Sequence, residues 1–282
     1  MPRFADVRTL SLGTKKITFL PDGGGFLDPV GAFPASSPEA WQRHPEYLDD
    51  RGRLIISIGG FLIRSGKQTI VVDTGLGPLT ENIPGFGTCV GGKFLESLTA
   101  AETAPEEVTD VIFTHLHLDH CGWTSLRTEN EVHLAFPRAH YFIADDEWRF
   151  WSGSNNPAGP HPELVQKPLE EKIAMVSDGD EIADGVRIIA LPGHTPGHIG
   201  LAVSSGSERL MILGDAVHSP VQFDESEWSF VFDADPRSAR QSREEICLHL
   251  AEEGAIGAFC HFADRVFGRL TQTRDRRTWV PL

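Results

Sequence analysis

The chain has 282 residues, 40% of them hydrophobic and 23% charged, so it is long and apolar enough to form a sizeable core. Its formal net charge of −15 argues against a surface that binds nucleic acid or anionic lipid. The four cysteines form no C-x-x-C pair, and neither a signal segment nor a run of about 18 apolar residues occurs, so we expect a cytoplasmic protein with no membrane span.

The first part of the chain predicts a loop, a β-hairpin, a helix and a buried strand. Residues 21–50 combine many Gly and Pro residues with aromatic ones, which indicates an N-terminal loop or lid near the active site. Two apolar, β-rich runs then meet at Ser65-Gly66, a spacing typical of a hairpin. Residues 92–102 are predicted to form a helix and 108–115 a buried strand. No linker divides the sequence, so residues 1–282 are interpreted as a single domain.

The second part predicts, in chain order, a strand beginning at 140, a helix at 162–176, a strand at 186–194, a hairpin at 199–215, an amphipathic helix at 236–254 and a last strand at 255–262. The runs QTIVVDTG and RLMILGD each carry an apolar strand into an acidic residue beside Gly. This repetition indicates a duplicated β-rich unit with helices outside. We therefore predict an α/β fold in which two β-sheets pack face to face between helical layers.

The densest cluster of chemically active side chains is the motif H-x-H-x-D-H, residues 115–120. At a strand end His115 and His117 project to the same side, because side chains alternate along a strand. The following turn lets Asp119 and His120 reach a second point nearby. Imidazole and carboxylate together suit zinc, or another divalent transition ion, far better than calcium or magnesium. The alternative is a polar loop whose histidines cap a helix, but neutral residues cap helices equally well.

Four ligands are too few for two metal ions, so this interpretation requires further ligands downstream. The candidates stand at the ends of later predicted strands: His194, His198, Asp215, His218 and His261. Strand ends are where layered α/β folds place their chemistry. A carboxylate such as that of Asp215 can bridge two cations with its two oxygens, which an imidazole cannot do.

The ordered set THLHLDH, PGHTPGH, GD and a late CH resembles the metallo-β-lactamase superfamily over residues 55–268. The resemblance implies a four-layer αβ/βα sandwich that holds two Zn²⁺ ions per chain, or other divalent ions such as Mn, Fe or Co. One ion would be held by His115, His117 and His194, and the other by Asp119, His120 and His261, with Asp215 bridging them.

The resemblance also implies roles for two residues that support the ligands. Asp73 in VVDTG matches the aspartate that orients a ligand histidine in this superfamily, the alternative being a residue that ends the strand in a turn. His198 is expected to stabilise the HTPGH turn, because the seven ligands already complete both coordination shells.

The implied chemistry is hydrolysis, in which a hydroxide shared by the two ions attacks a small lactone or a carboxylic ester. Asp119 would carry the proton to the leaving group, and His218 would face the substrate without binding metal. The chain is similar to the group that contains N-acyl-homoserine lactonases, 4-pyridoxolactonase and methyl-parathion-hydrolase-like phosphotriesterases.

This chain differs from the quorum-quenching lactonases at one informative position, which keeps other functions open as alternatives. The quorum-quenching lactonases have a tyrosine three residues after the bridging aspartate, where this chain has His218. A phosphotriesterase or arylesterase of the methyl parathion hydrolase type is therefore the alternative. A non-catalytic metal-binding protein is a third possibility, which the complete ligand set disfavours.

Aromatic residues near the motifs are candidates for the wall of a substrate pocket, and core packing is the alternative for each of them. They are Phe26, Phe33, Phe86, Trp123, Trp148, Trp151, Trp228 and Phe230. Their number predicts a small apolar or aromatic ester or lactone as substrate. A homodimer is a possible assembly, and no nucleic-acid partner is expected.

Overall fold

The computed structural model describes residues 1–129, 131–252, 254–273 and 276–282. The strands in chain order are β1 (Arg8–Leu12), β2 (Lys15–Leu27), β3 (Leu54–Ser65), β4 (Gln68–Val72), β5 (Thr80–Ile83), β6 (Gly87–Val90), β7 (Asp110–Ile112), β8 (Ser125–Arg127), β9 (Val132–Leu134), β10 (His140–Ala144), β11 (Ile173–Val176), β12 (Glu181–Ala183), β13 (Val186–Ala190), β14 (Ile199–Ser205), β15 (Glu208–Ile212), β16 (Ile256–Ala258), β17 (Phe267–Gln272) and β18 (Arg277–Pro281).

The helices are α1 (Pro29–Ala32), α2 (Pro38–Trp41), α3 (Phe94–Ala100), α4 (Leu118–Cys121), α5 (Asp145–Trp151), α6 (Lys167–Leu169), α7 (Val221–Asp224) and α8 (Pro236–Glu252). Short 3-10 turns occur at Pro45–Tyr47, Pro105–Glu107 and Gly214–Ala216, and a π-helical turn at Pro162–Gln166. Within the described ranges, no helix is both long enough and apolar enough to cross a bilayer.

Most of the strands belong to two sheets. The larger sheet has the strand order β11-β10-β7-β4-β3-β2-β6-β5, with β1 paired to β2, and the smaller sheet has the order β12-β13-β14-β15-β16-β17-β18. In the larger sheet β4, β7, β10 and β11 are parallel, and in the smaller sheet β15 and β16 are parallel. The carboxyl ends of β7, β15 and β16 lead into segments that carry predicted ligands, and that of β4 leads to Asp73.

An apolar layer joins the two sheets. Phe61 and Ile63 of β3 lie in this layer together with Ile188 and Leu201 of the smaller sheet. Because side chains alternate along a strand, Leu62 between them lies on the opposite face, in a cluster with α3. The larger sheet is therefore buried on both faces.

The outer faces of the sheets are covered by helices. Phe94 and Leu98 of α3 pack on the larger sheet, and Ile246 and Leu250 of α8 belong to a cluster on the outer side of the smaller sheet. The prediction of two sheets between helical layers, a four-layer αβ/βα sandwich, is thus confirmed.

Several predicted elements are confirmed with shorter bounds. The hairpin at Ser65-Gly66 joins β3 to β4, the 92–102 helix is α3, and the 199–215 hairpin is β14 and β15. The predicted 236–254 helix corresponds to α8, and position 253 lies outside the described residues.

Three predictions were wrong. Residues 21–27 continue strand β2 rather than forming a loop, because the glycines there permit close approach: a Cβ on Gly23 would lie 1.9 Å from the Val90 carbonyl oxygen. The predicted 162–176 helix ends early, and its last part is β11, which pairs with β10. The strand predicted at 255–262 is not the last, since β17 and β18 follow it.

The rest of the predicted loop, residues 28–50, contains the short helices α1 and α2. Phe33 and Trp41 in this segment are buried and pack against Trp228, and Phe33 also packs against Phe230. The segment is therefore held by aromatic contacts, and its action as a lid remains a prediction.

Phe61 is suited to test the contact between the sheets, because its buried ring lies 5.7 Å from that of Phe267 in the smaller sheet. Phe61→Ala should lower the free energy of unfolding by about 3–5 kcal/mol, through lost burial and the cavity left behind. Urea titration followed by circular dichroism measures this. Phe150→Ala is the control, because Phe150 is 47% exposed, and it should change stability by only about 0.5 kcal/mol. Equal losses in the two variants would contradict this account.

Candidate active site

The sequence-predicted metal ligands converge at one edge of the sandwich, where strands from both sheets end. His115 and His117 follow β7, and Asp119 and His120 lie in α4 directly after them. His194 follows β13, Asp215 follows β15 and His261 follows β16. The larger sheet thus supplies one half of the cluster and the smaller sheet supplies the other.

The first donor group consists of His115, His117, His194 and Asp215, whose ligand atoms all lie within 4.8 Å of one another. His117 Nδ1 is 3.0 Å from His115 Nε2 and 2.8 Å from His194 Nε2. Asp215 Oδ2 is 3.1 Å from His194 Nε2. Donor atoms around a tetrahedral zinc ion lie roughly 3.3–3.6 Å apart, so this group fits such an ion.

The second donor group consists of His120, Asp215, Cys260 and His261, with Asp119 beside them. Cys260 was not among the predicted ligands, and burial raises the pKa of its thiol well above the usual value. His120 Nε2 and His261 Nε2 each lie 3.1 Å from Asp215 Oδ1. Asp119 is farther away, at 3.9 Å from His120 Nε2 and 3.7 Å from His261 Nε2, and its side chain is 23% exposed. The two oxygens of Asp215 therefore face different donor groups, which is the geometry a bridging ligand requires.

The charges of the site favour a bound cation. Burial alone raises the pKa of Asp215, but the surrounding imidazoles, His120 foremost, hold it well below its usual range. Burial lowers the pKa of His120, yet the carboxylates of Asp215, Asp119 and Asp73 outweigh burial and raise that pKa well above its ordinary value. Burial also holds the pKa of His115 and His117 low, so both are neutral, the form that ligates metal.

In several candidate ligands, the imidazole nitrogen that points away from the donor group has a hydrogen-bond partner. Asp73 Oδ2 lies 2.9 Å from His120 Nδ1, as the resemblance implies, and Asp73 also accepts hydrogen bonds from Thr114. Asp73 has a φ of 59°, a left-handed conformation uncommon outside glycine. Such partners fix the ring orientation and the tautomer of a ligating histidine.

Two similar partners were missed by the sequence analysis. Asp233 Oδ1 lies 2.9 Å from His194 Nδ1, and the Ser57 carbonyl oxygen lies 2.8 Å from His261 Nδ1. Neither belongs to a motif with a characteristic spacing, and a backbone carbonyl carries no sequence signal at all.

His198 belongs to neither donor group, and its role in the HTPGH turn remains a prediction. Its Nδ1 lies 3.0 Å from the Leu191 carbonyl oxygen, and its Nε2 accepts a hydrogen bond from the Asp215 backbone N–H at 3.0 Å. Burial lowers the pKa of His198 to about 3, so the ring is neutral, with one donor and one acceptor nitrogen. His198 therefore positions the backbone of Asp215.

The expectation that His218 faces the substrate was wrong. The ring is buried, stacks on Phe230 with centroids 3.6 Å apart, and places Nε2 3.1 Å from Asp215 Oδ2. Burial lowers its pKa to about 4, so the ring is neutral. The reason is local: the chain makes a 3-10 turn at Gly214–Ala216, and three residues after Asp215 the side chain returns to that carboxylate.

A cavity of about 300 Å³ opens onto the donor groups. His117, Asp119, His194, Asp215 and His261 lie along it, and the rest of its lining is mainly apolar: Ile56, Leu76, Ile83, Phe86, Cys89, Leu118, Phe230 and Phe232, with Glu81, Asn156, Pro157 and Ala158 completing it. Burial, with the nearby carboxylates of Asp119 and Glu81, raises the pKa of the Cys89 thiol to about 12. Cys89 is therefore part of the wall and not a nucleophile.

Of the eight aromatic residues predicted to form the wall, Phe86 and Phe230 line the cavity and the others do not. Phe33 and Trp228 are buried in the cluster behind Phe230, because they pack on one another and on Trp41. Trp151 is buried beside the His117 ring, with centroids 5.5 Å apart.

The remaining three aromatic residues point elsewhere. Trp123 donates a hydrogen bond from Nε1 to the buried carboxylate of Asp22 at 2.9 Å. Trp148 packs against the helical side of the larger sheet. Phe26 lies on β2 against the Phe4 ring. The aliphatic residues of the cavity wall could not be predicted, because an apolar residue in a short strand such as β5 gives the same sequence pattern whether it faces a core or a cavity.

The chain is similar to known metal-dependent hydrolases in sequence. The sequence model described as the Metallo-beta-lactamase superfamily matches residues 60–252. An N-acyl homoserine lactonase of Bacillus thuringiensis is 27% identical over 264 residues, which cover 88% of this chain and 93% of the relative. The probable metallo-hydrolase Rv2300c of Mycobacterium tuberculosis is 27% identical over 172 residues, which cover 56% of each chain.

Two solved structures are similar over nearly their full length. AidC, described as a dizinc quorum-quenching lactonase in complex with a product, has a TM-score of 0.84 at 24% identity, covering 99% of this chain and 98% of that one. The hydrolase AbOPH has a TM-score of 0.81 at 27% identity, with the same coverage. The likeness to AidC concerns the fold.

The different positions of Asp215 and His198 predict different effects on metal binding. Metal-replete protein should hold two transition-metal ions per chain. Asp215→Ala should retain neither ion after dialysis, because its carboxylate lies between both donor groups. His198→Ala should retain both, with some loss of stability, because both ring nitrogens of His198 bond to backbone groups. Elemental analysis and thermal unfolding measure these effects, and an Asp215→Ala protein that keeps both ions would show that the carboxylate does not bridge them.

Proposed function

Because the chain belongs to the metallo-β-lactamase superfamily, we propose that it is a dinuclear zinc hydrolase that opens a small lactone ring or cleaves a carboxylic ester. The observation that carries this proposal is the single carboxylate of Asp215 shared by two histidine groups at the floor of an apolar cavity. The lactonase relatives support ester-type substrates over amides.

The donor set supports zinc as the metal. It combines neutral imidazole with carboxylate, which suits zinc better than the oxygen-preferring ions. His115, His117 and His194 would hold one ion, and Asp119, His120 and His261 the other. Two such ions would lower the pKa of a shared water towards neutrality and polarise the carbonyl of the substrate.

Asp119 is the residue we assign to proton transfer. Its carboxylate is one of the partly exposed members of the ligand cluster, and it borders the cavity. Ring opening of a lactone leaves an alkoxide that requires one proton. A carboxylate that touches both the second donor group and the cavity is placed to carry that proton to the leaving oxygen.

The cavity supports an apolar substrate. Ile83, Phe86, Phe230 and Phe232 would contact its side chain or ring substituent. A volume of about 300 Å³ is at the lower end of the usual range for small-molecule sites, which supports a small ester. A phosphotriester is the alternative because His218 stands where the quorum-quenching lactonases have a tyrosine, and that departure remains. The lactonase relatives support a lactone over a phosphotriester.

A substrate panel tests the proposed activity. Zinc-loaded protein should open N-hexanoyl-homoserine lactone and γ-nonalactone faster than it hydrolyses p-nitrophenyl acetate, and paraoxon should be the poorest of the four substrates. Asp119→Asn is the matched control, which should keep the fold and lower kcat by about 10²–10⁴-fold. The proposal fails if ring-opened acid never forms, or if paraoxon is the best substrate.

His218 is proposed to support Asp215 through Nε2 rather than to touch substrate. Two variants distinguish the role of Nε2 from the role of ring stacking. His218→Gln keeps a donor near the Nε2 position, and His218→Phe keeps the stacking on Phe230. His218→Phe should lower kcat by about 10- to 100-fold with little change in KM, and His218→Gln should be much closer to wild type. The reverse order, measured by steady-state kinetics, would show that His218 serves only in packing.

A further inference from the structure

We propose that Glu147 is a positioning residue that fixes the two histidine segments of the first donor group relative to each other. The proposal rests on the metal site described above. Glu147 belongs to α5, is fully buried, and lies outside every motif of the superfamily resemblance.

The two oxygens of Glu147 bind two different segments of backbone. Oε1 accepts a hydrogen bond from the Leu116 N–H at 2.9 Å. Oε2 accepts one from the Gly197 N–H at 3.3 Å. Leu116 lies between His115 and His117, and Gly197 lies between His194 and His198. One rigid carboxylate group therefore sets the spacing between the segments that carry three of the candidate ligands.

Glu147 also holds the residue behind His117. The third hydrogen bond to its carboxylate comes from Trp151, whose Nε1 donates to Oε1 at 2.7 Å. The Trp151 ring in turn lies edge-on to the His117 ring, with centroids 5.5 Å apart. Glu147 thus limits the movement of His117 through its backbone on one side and through an aromatic neighbour on the other.

The contact with Gly197 is too close for any other residue. A Cβ added at Gly197 would lie 2.1 Å from the Glu147 backbone nitrogen and 2.6 Å from its Cα. The HTPGH turn therefore rests directly on the first turn of α5. This close approach brings the Gly197 N–H within reach of the carboxylate.

Retaining this carboxylate is costly to the fold. Among the described residues, no cationic side chain forms an ion pair with Glu147, and a buried charge without such a partner is unfavourable. Burial accordingly raises its pKa, and the Thr195 side chain, the N–H donors of Leu116 and Trp151, and the nearby His194 oppose that effect. An apolar residue would fill the same space at lower cost, so the two-sided acceptor geometry of Glu147 indicates a role beyond packing.

Glu147→Gln tests the proposal, because glutamine keeps the shape but presents an N–H₂ group to one of the backbone donors. The variant should fold, as judged by circular dichroism. Its affinity for the ion held by His115, His117 and His194 should fall by about 10- to 100-fold, while the other ion is retained. Chelator competition followed by elemental analysis measures this, and the visible absorption of the cobalt-substituted protein reports the changed ligand geometry without any assay of activity.

Asp110→Asn is the matched control, because Asp110 is a buried carboxylate at the opposite end of β7 and bonds to Thr109. It should bind both ions as the wild type does. If Glu147→Gln does not fold, Glu147→Asp tests the same contacts, because it keeps the charge but draws the carboxylate back from the Leu116 and Gly197 N–H groups, and it should weaken the same ion.

The outcomes separate this proposal from the proposed function. Wild-type affinities and an unchanged cobalt spectrum in a folded Glu147→Gln or Glu147→Asp protein would overturn the positioning role alone. A wild-type protein that binds no metal would overturn the metal site and this role with it. Selective loss of one ion in Glu147→Gln, with both retained in Asp110→Asn, would support the role.

Discussion

The structure depends on one buried carboxylate. Asp215 is almost inaccessible, and four imidazole nitrogens lie 3.1 Å from its oxygens: those of His120, His194, His218 and His261. A lone carboxylate in such a position is strongly unfavourable. The imidazoles hold the pKa of Asp215 low, and its carboxylate in turn raises the pKa of His120, His194 and His261. Each set of side chains is tolerable only in the presence of the other, and together they form a site that requires positive charge.

This requirement explains the architecture around the site. Each of the two donor groups takes ligands from both sheets: His115, His117 and His120 follow a strand of the larger sheet, and His194 and His261 follow strands of the smaller one. The site therefore exists only when the apolar layer around Phe61 has formed. Supporting groups such as Asp73 and Asp233 then hold the rings from outside, so that the ligand positions do not depend on the substrate.

Whether a site residue could be predicted from the sequence depends on how far apart in the chain its interacting partners lie. The ligands His115 to His120 could be predicted because strand alternation and one tight turn determine where they point. Partners such as Ser57 and Glu147 could not, because their roles arise from contacts between segments far apart in the chain. Most of the aromatic residues predicted to line the cavity do not line it, for a related reason. Whether a ring such as that of Trp228 faces a cavity or a core depends on packing that no local pattern encodes.

The position of the β5–β6 hairpin has an evolutionary consequence. It forms the edge of the larger sheet and supplies Glu81, Ile83 and Cys89 to the cavity, while Phe86 comes from its turn. None of these residues is a candidate ligand or holds one in place. Mutations in this hairpin can therefore accumulate with little penalty to the metal frame, and selection can change substrate preference while the ligand set is inherited intact.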